Sequence, residues 1–148
     1  MLTPMYKHIL IATDGSELAA KAVAAGLRLA KVHRAKVTTI TVSEPWSMAG
    51  SSEGSVTVPF DAYEQAAAAA AADVLGSVRK LANHLDVDCV TAHIKNHPAE
   101  GIVDTAQGRG CDLIVMASNA RRGLSRLVLG SQAARVLTLS AVPVLICK

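Results

Sequence analysis

Apolar positions along this chain alternate between two textures: short solid runs, and longer stripes spaced three and four apart. The first solid run, Lys7 to Thr13 (KHILIAT), ends at Asp14-Gly15-Ser16. It is too short for a confident helix and predicts a buried strand. Ser16 is a good N-cap, and Leu18, Ala22, Val23, Leu29 and Ala30 form a helical stripe to about Val32. Ala35 to Ser43, rich in Val, Thr and Ile, predicts a second strand. Glu44 to Pro59 shows little periodicity and predicts a long loop, of the kind that forms a lid or stays disordered. Asp61 to Leu85 predicts a long helix. Its front half is nearly solid alanine, and Val74, Val78, Leu81 and Leu85 then set out the expected buried face.

Asp88 to Lys95 predicts the third strand. Pro98 opens the next helix, since proline at the first helical position loses no hydrogen bond, and Glu100 suits that positive end. This helix should end near Gly108 and Gly110, before a fourth strand at Asp112 to Ala117. Ser131 to Leu139 is the last predicted helix and Val142 to Cys147 (VPVLIC) the terminal strand. The elements therefore alternate βαβαβαβαβ. With strands read as fully apolar, that predicts an α/β fold: one doubly wound, Rossmann-like, five-stranded parallel sheet with helices on both faces. Right-handed crossovers favour the strand order 3-2-1-4-5. Strands 1 and 4 are then neighbours, and the crevice at their carboxyl ends is the expected ligand site.

The densest chemistry falls at that crevice. Leu113 to Ala134 (LIVMASNARRGLSRLVLGSQAA) reads as strand, basic loop and helix start, with no acid between Leu113 and Lys148. Arg121, Arg122 and Arg126 lie near the amides of Gly130, Ser131 and Gln132, at the positive end of a helix. Free N–H groups, a helix dipole and guanidinium groups together favour phosphate. The Ser131 hydroxyl is a further donor, and Gly130 lets the backbone approach closely. Arg121 and Arg122 either clamp outer phosphates or are solvated loop residues; Gly123 is read as a turn. Asp14 faces this loop from strand 1, where its carboxylate can accept from a ribose hydroxyl or hold Mg²⁺ beside phosphates. The alternative is a turn with Gly15 and Ser16, and the facing anion site tips the balance to a ligand role. Val42 and Met116, at strand ends, are candidates to sandwich a purine, although such residues also serve simply as core.

Composition narrows the function classes. The chain has 148 residues and a net charge of +3, which fits one domain and a small acidic ligand. It has no basic run of the sort that marks nucleic-acid or membrane partners. Trp46, Phe60, Tyr6 and Tyr63 are its only aromatics, against a stacking platform for single strands or flavin. No signal peptide is expected, because Met1 to Lys7 runs straight into a strand, and no apolar run approaches the ~20 residues of a membrane span. Cys89, Cys111 and Cys147 sit apart in apolar sequence and read as core packing in a reducing cytoplasm. The histidines (His8, His33, His84, His93, His97) lack metal-ligand spacing. His97 and Glu100 invite an acid–base reading, but no nucleophile or second base accompanies them. There is no Walker A motif and no GxGxxG after the first strand. Asp14 stands alone, and Ile94-Lys95 closes the third strand, unlike a phosphoacceptor receiver domain.

The chain resembles the universal stress proteins over nearly its whole length. The resemblance rests on ILIATDGS, HPAEGIVDTA, CDLIVMAS, RRGLSRLVLGSQAARVL and VPVLICK. That family's nucleotide signature is Gly, two residues, Gly, nine residues, then Gly with Ser or Thr; here the frame falls on Ala117, Ala120, Gly130 and Ser131. Spacing and the Gly-Ser end are kept, while both leading glycines are alanine, whose methyl can crowd a ligand or bar a positive φ. The resemblance implies an adenine-nucleotide pocket for ATP or AMP, lined by Ala12, Thr13, Asp14, Val42, Met116, Ala117, Ser118, Ala120, Gly130, Ser131 and Gln132. It also implies a cytoplasmic homodimer paired through Val142 to Cys147, an apolar edge that needs covering. Pro143 suits an edge position. The expected role is a stress-response regulator or sensor with at most slow ATP hydrolysis, since no residue is plainly placed to activate water. The alternative is a dimeric interaction module that works without nucleotide.

Overall fold

The structure, a computed structural model, describes residues 2–49, 58–118 and 128–148. Strands β1 (His8–Ala12), β2 (Lys36–Ser43), β3 (Cys89–Lys95), β4 (Leu113–Ala117) and β5 (Val144–Cys147) form a parallel sheet in the order β3-β2-β1-β4-β5. Helices α1 (Glu17–His33), α2 (Trp46–Ala49), α3 (Phe60–His84), α4 (Pro98–Gly108) and α5 (Ser131–Leu139) connect and cover it. The fold is the doubly wound α/β sheet that the alternating pattern predicts.

The period of two along the central strands sorts side chains between two cores. Ile9 and Ile11 of β1 join Leu113 and Val115 of β4 against α1 and α3. Leu10 and Ala12 join Ile114 and Met116 against α4 and α5. Both strands are buried along their whole length. Helix α1 begins where the Ser16 hydroxyl accepts from Ala19 N–H at 3.1 Å, and closes at Arg34 in the left-handed region with φ 55°. It lies very close to β1: a Cβ on Gly26 would stand 2.6 Å from Ile11 Cδ1.

Three expectations are corrected. The buried stripe of α3 is Ala71, Leu75, Val78 and Ala82, one step round from the expected face; Val74 is half-buried and Leu81 is 36% exposed. Two alanines belong to that stripe, so a pattern of large side chains alone points a residue off. Second, the segment after β2 contains the helical turn α2. It is anchored where Trp46 packs edge-on against Phe60 at 5.9 Å and donates from Nε1 to the Val58 carbonyl at 2.7 Å. Third, the strands are not fully apolar. β2 buries Thr38 and Thr39, and Thr38 Oγ1 lies 2.7 Å from His8 Nε2, which satisfies both side chains inside the sheet.

The edge strands differ from the central pair. Val90 of β3 is 54% exposed, and α3 is tied to that edge through Arg79 with Thr91 and through the ion pair of Lys95 with Glu64. At the other edge β5 begins at Val144, two residues later than expected, because Val142 N–H donates to the Ser140 hydroxyl in a turn. The three cysteines are free thiols. Burial pushes Cys111 up to about 11 and raises Cys89 and Cys147, so all three suit packing better than thiolate chemistry. Among the described residues no helix is long and apolar enough to cross a membrane.

Candidate functional site

The chain leaves β1 for α1 on one face and leaves β4 for α5 on the other, so the carboxyl ends of β1 and β4 part. A tight turn shapes one lip of this mouth. Thr13 N–H donates to the Ile40 carbonyl at 3.0 Å, Gly15 N–H to Thr13 Oγ1 at 3.2 Å, and Ser16 N–H to Asp14 Oδ1 at 2.9 Å. Asp14 thus makes the turn that its sequence context allows, and it also lines the cavity below. Gly15 has φ +82°, and a Cβ there would stand 2.6 Å from Val74 Cγ2 on α3. Backbone conformation and close approach both call for glycine at that position.

The mouth opens into a cavity of about 210 Å³ on the α4/α5 side. Seven of the expected site residues line it: Ala12, Thr13, Asp14, Val42, Met116, Ala117 and Gln132. Ala12 and Met116 are buried, Val42 is half-buried, and Gln132 in the first turn of α5 is exposed. Ala19, Ile40, Pro98 and Ile102 complete the wall and were missed. The signal for Ile40 was present, because it sits two residues before Val42 on the same face of β2. Pro98 and Ile102, four apart at the start of α4, share a helix face. Gly101 brings that helix in, since a Cβ there would be 3.0 Å from Val42 Cγ1.

The remaining expected residues divide into two groups. Ser118 and Gly130 are buried and joined to each other: Ser118 Oγ accepts from Gly130 N–H at 2.9 Å. One of the three amides expected to meet phosphate is therefore engaged within the chain. Ser131 is exposed at the start of α5, and neither it nor Gly130 has a side chain capping the helix. The positive end of α5 thus stands beside the cavity, which Gln132 of its first turn lines. Ala120, Arg121, Arg122, Gly123 and Arg126 lie outside the described residues.

His97 occupies the N-cap position of α4 without a side-chain cap bond. Glu100 accepts from Arg135 Nε at 2.7 Å, which ties α4 to α5, and this hydrogen bond holds its carboxyl below the usual range. A nucleophile–base pair that sequence reading did not single out, Ser43 Oγ with His93 Nε2 at 2.5 Å, joins β2 to β3. Neither residue lines the mouth cavity, and the pair works as a cross-strand tie.

A doubly wound sheet with a cavity at its topological switch point defines the class. Comparison with known proteins narrows it: the Universal stress protein family profile matches residues 5–148, and the chain belongs to that family. Universal stress protein MJ0531 of Methanocaldococcus jannaschii is 33% identical, over 97% of this chain and 83% of that protein. The solved structure of the protein MJ0577 is similar at a TM-score of 0.81 and 25% identity, over 97% and 96% of the two chains. Two solved universal stress proteins also share the fold, each over 97% of this chain. One is in complex with cAMP (TM-score 0.69, 21% identity). The other, from Archaeoglobus fulgidus, is in complex with dAMP (TM-score 0.68, 18% identity over 97% of this chain and 99% of that one).

Proposed function

We propose that this chain binds an adenine nucleotide, ATP or AMP, in the mouth between β1 and β4 and acts in the stress response as a regulator rather than as a dedicated enzyme. The observation that carries this reading is the convergence of strand-end residues from β1, β2 and β4 with the starts of α4 and α5 around one cavity. The cAMP and dAMP complexes of fold relatives support the same ligand class.

The residues fit such a ligand. Val42 and Met116 offer apolar walls to a base, and Thr13 and Asp14 offer oxygen atoms to ribose hydroxyls. At about 210 Å³ the cavity is smaller than most ligand pockets. It suits base and sugar, with phosphates running outward over Ser131 and Gln132. The Asp14 carboxylate would share Mg²⁺ with those phosphates. Arg121 and Arg122 would add charge from the loop, and Ala117 and Ala120 put methyl groups where the family signature has glycine. The protein then works as a single cytoplasmic domain over residues 1–148. It pairs with a second copy through the open edge of β5, where Leu145 is 41% exposed.

A second reading, an interaction module without nucleotide, is favoured by one observation: Gly130 N–H is already satisfied by Ser118. Thermal-shift measurement with millimolar ATP and AMP separates the two. Saturating a site to a hundred times its Kd adds about 2.7 kcal/mol of stability. A rise in Tm of several degrees with either nucleotide supports binding, and an unmoved Tm supports the module. An Ala120→Gly variant that binds more tightly would show that the alanine, not the rest of the mouth, limits affinity.

A further inference from the structure

A larger cavity, about 320 Å³, lies on the opposite face of the sheet, in the groove between α1 and α3. We infer that this groove is a second ligand site, for a small apolar molecule carrying a protonated amine.

The groove exists because small residues stand where two packed helices would ordinarily interlock larger ones. Gly15, Ser16 and Ala20 form the α1 side, and Ser77 faces them from α3. Its floor is apolar, made by the buried Val23 and Val78. Its α3 wall is Val74 and Leu81, the two side chains that lie off the buried stripe of that helix. Leu81 is 36% exposed, so a large apolar side chain remains uncovered in the bare protein. Covering such a surface with an apolar ligand is favourable in proportion to the area removed from water. A cavity of this size with apolar walls and a few polar groups lies in the range of small-molecule sites.

The charge of the rim selects the ligand. Among the described residues, Asp73 is the only charged one lining the groove. Its main-chain carbonyl accepts from the Ser77 hydroxyl, but among the described residues its carboxylate makes no ion pair. The other lining hydroxyls are committed locally: Thr13 Oγ1 accepts from Gly15 N–H, and Ser16 Oγ from Ala19 N–H. The groove therefore presents an apolar trough with one negative group at its margin. An anion is disfavoured there, and an ammonium group attached to an aliphatic or aromatic body is complementary.

The test uses the nucleotide-free full chain, so its outcome is independent of what binds across the sheet. The protein is titrated with 2-phenylethylamine, 2-phenylethanol and 3-phenylpropionate while the Val74 and Val78 methyl signals are followed by NMR. The expected result is a saturable shift for the amine, binding about threefold tighter than the alcohol, with the acid weakest. Asp73→Asn, at an exposed position, should remove the margin between amine and alcohol. Ser77→Trp, also exposed, should fill the groove and abolish all three shifts. The inference is overturned if no probe gives a saturable shift, if the three bind equally, or if the shifts survive Ser77→Trp in a folded variant.

Discussion

The two cavities flank the same turn, since Thr13 lines both, yet they differ in what surrounds them. The mouth on the α4/α5 side is walled by strand ends and by the beginnings of three helices, at Ala19, Pro98 and Gln132. Helix beginnings bring unsatisfied amides and positive partial charge. The groove on the α1/α3 side is walled largely by helix middles, and it shares with the mouth the start of α1, which Ser16 caps. The Ser16 hydroxyl takes up the Ala19 amide there, and the side chains that line the groove are mostly apolar, with the Asp73 carboxylate among them. On the proposed reading, the direction of the helices around each cavity, more than residue polarity, sets the preference of the mouth for phosphate.

This contrast can be broken most severely through the cores beneath it. Ile114 is fully buried on the α4/α5 side. Ile114→Ala should cost about 2–5 kcal/mol in denaturant unfolding and loosen the nucleotide mouth above it, leaving the groove's response to its amine probe unchanged in the folded fraction. Gly26→Ala acts on the other core. Its new methyl meets Ile11 Cδ1 and Cγ1, and overpacking of this kind should cost about 1–3 kcal/mol, with nucleotide affinity preserved. The reverse pattern, in which each change disturbs the cavity on the opposite face, would show that the two sides do not act separately.

Asp14→Asn sharpens the comparison at the shared turn. Asparagine can still accept from Ser16 N–H, so Tm should stay close to that of the parent. Calorimetry should show nucleotide affinity reduced several-fold and its Mg²⁺ dependence weakened. The smallest effect concerns pH. Burial first, and the charge of Lys36 after it, hold His8 below its ordinary pKa of 6.5, partly opposed by the Arg109 carbonyl and by Asp112. The unfolded chain then takes up a proton more readily than the native one. Stability should therefore decline as pH falls below about 6.5 and be flat above it. His8→Gln, which keeps a partner for Thr38, should flatten the Tm profile on the acid side.

Much of this architecture was legible in the residues. The unbroken apolar runs of β1 and β4 announced central strands, and Ser16 and Pro98 marked helix starts to the residue. What escaped has a common cause: packing that small side chains permit. Ala71 and Ala82 belong to the buried stripe of α3, but alanine carries little periodic signal beside Val74 and Leu81. The His8–Thr38 contact spans two strands and has no local signature. At the site, the strand-end residues Val42 and Met116 could be named because sheet order follows from chain order, while Ala12 followed from the family resemblance. Pro98 and Ile102 could not, because their position depends on how closely Gly101 lets α4 approach Val42. Nor does the spacing from Ser118 to Gly130 reveal that the two would bond.

The most direct test of the central claim follows the Met116 methyl signal during a titration with AMP. The side chain is buried and lines the mouth, far from the solvent-exposed surface where weak ions gather. The account predicts a saturable shift of that methyl, accompanied by the amides of Ala12, Asp14 and Gln132. A Met116 signal that stays still in the folded protein at millimolar AMP would contradict it.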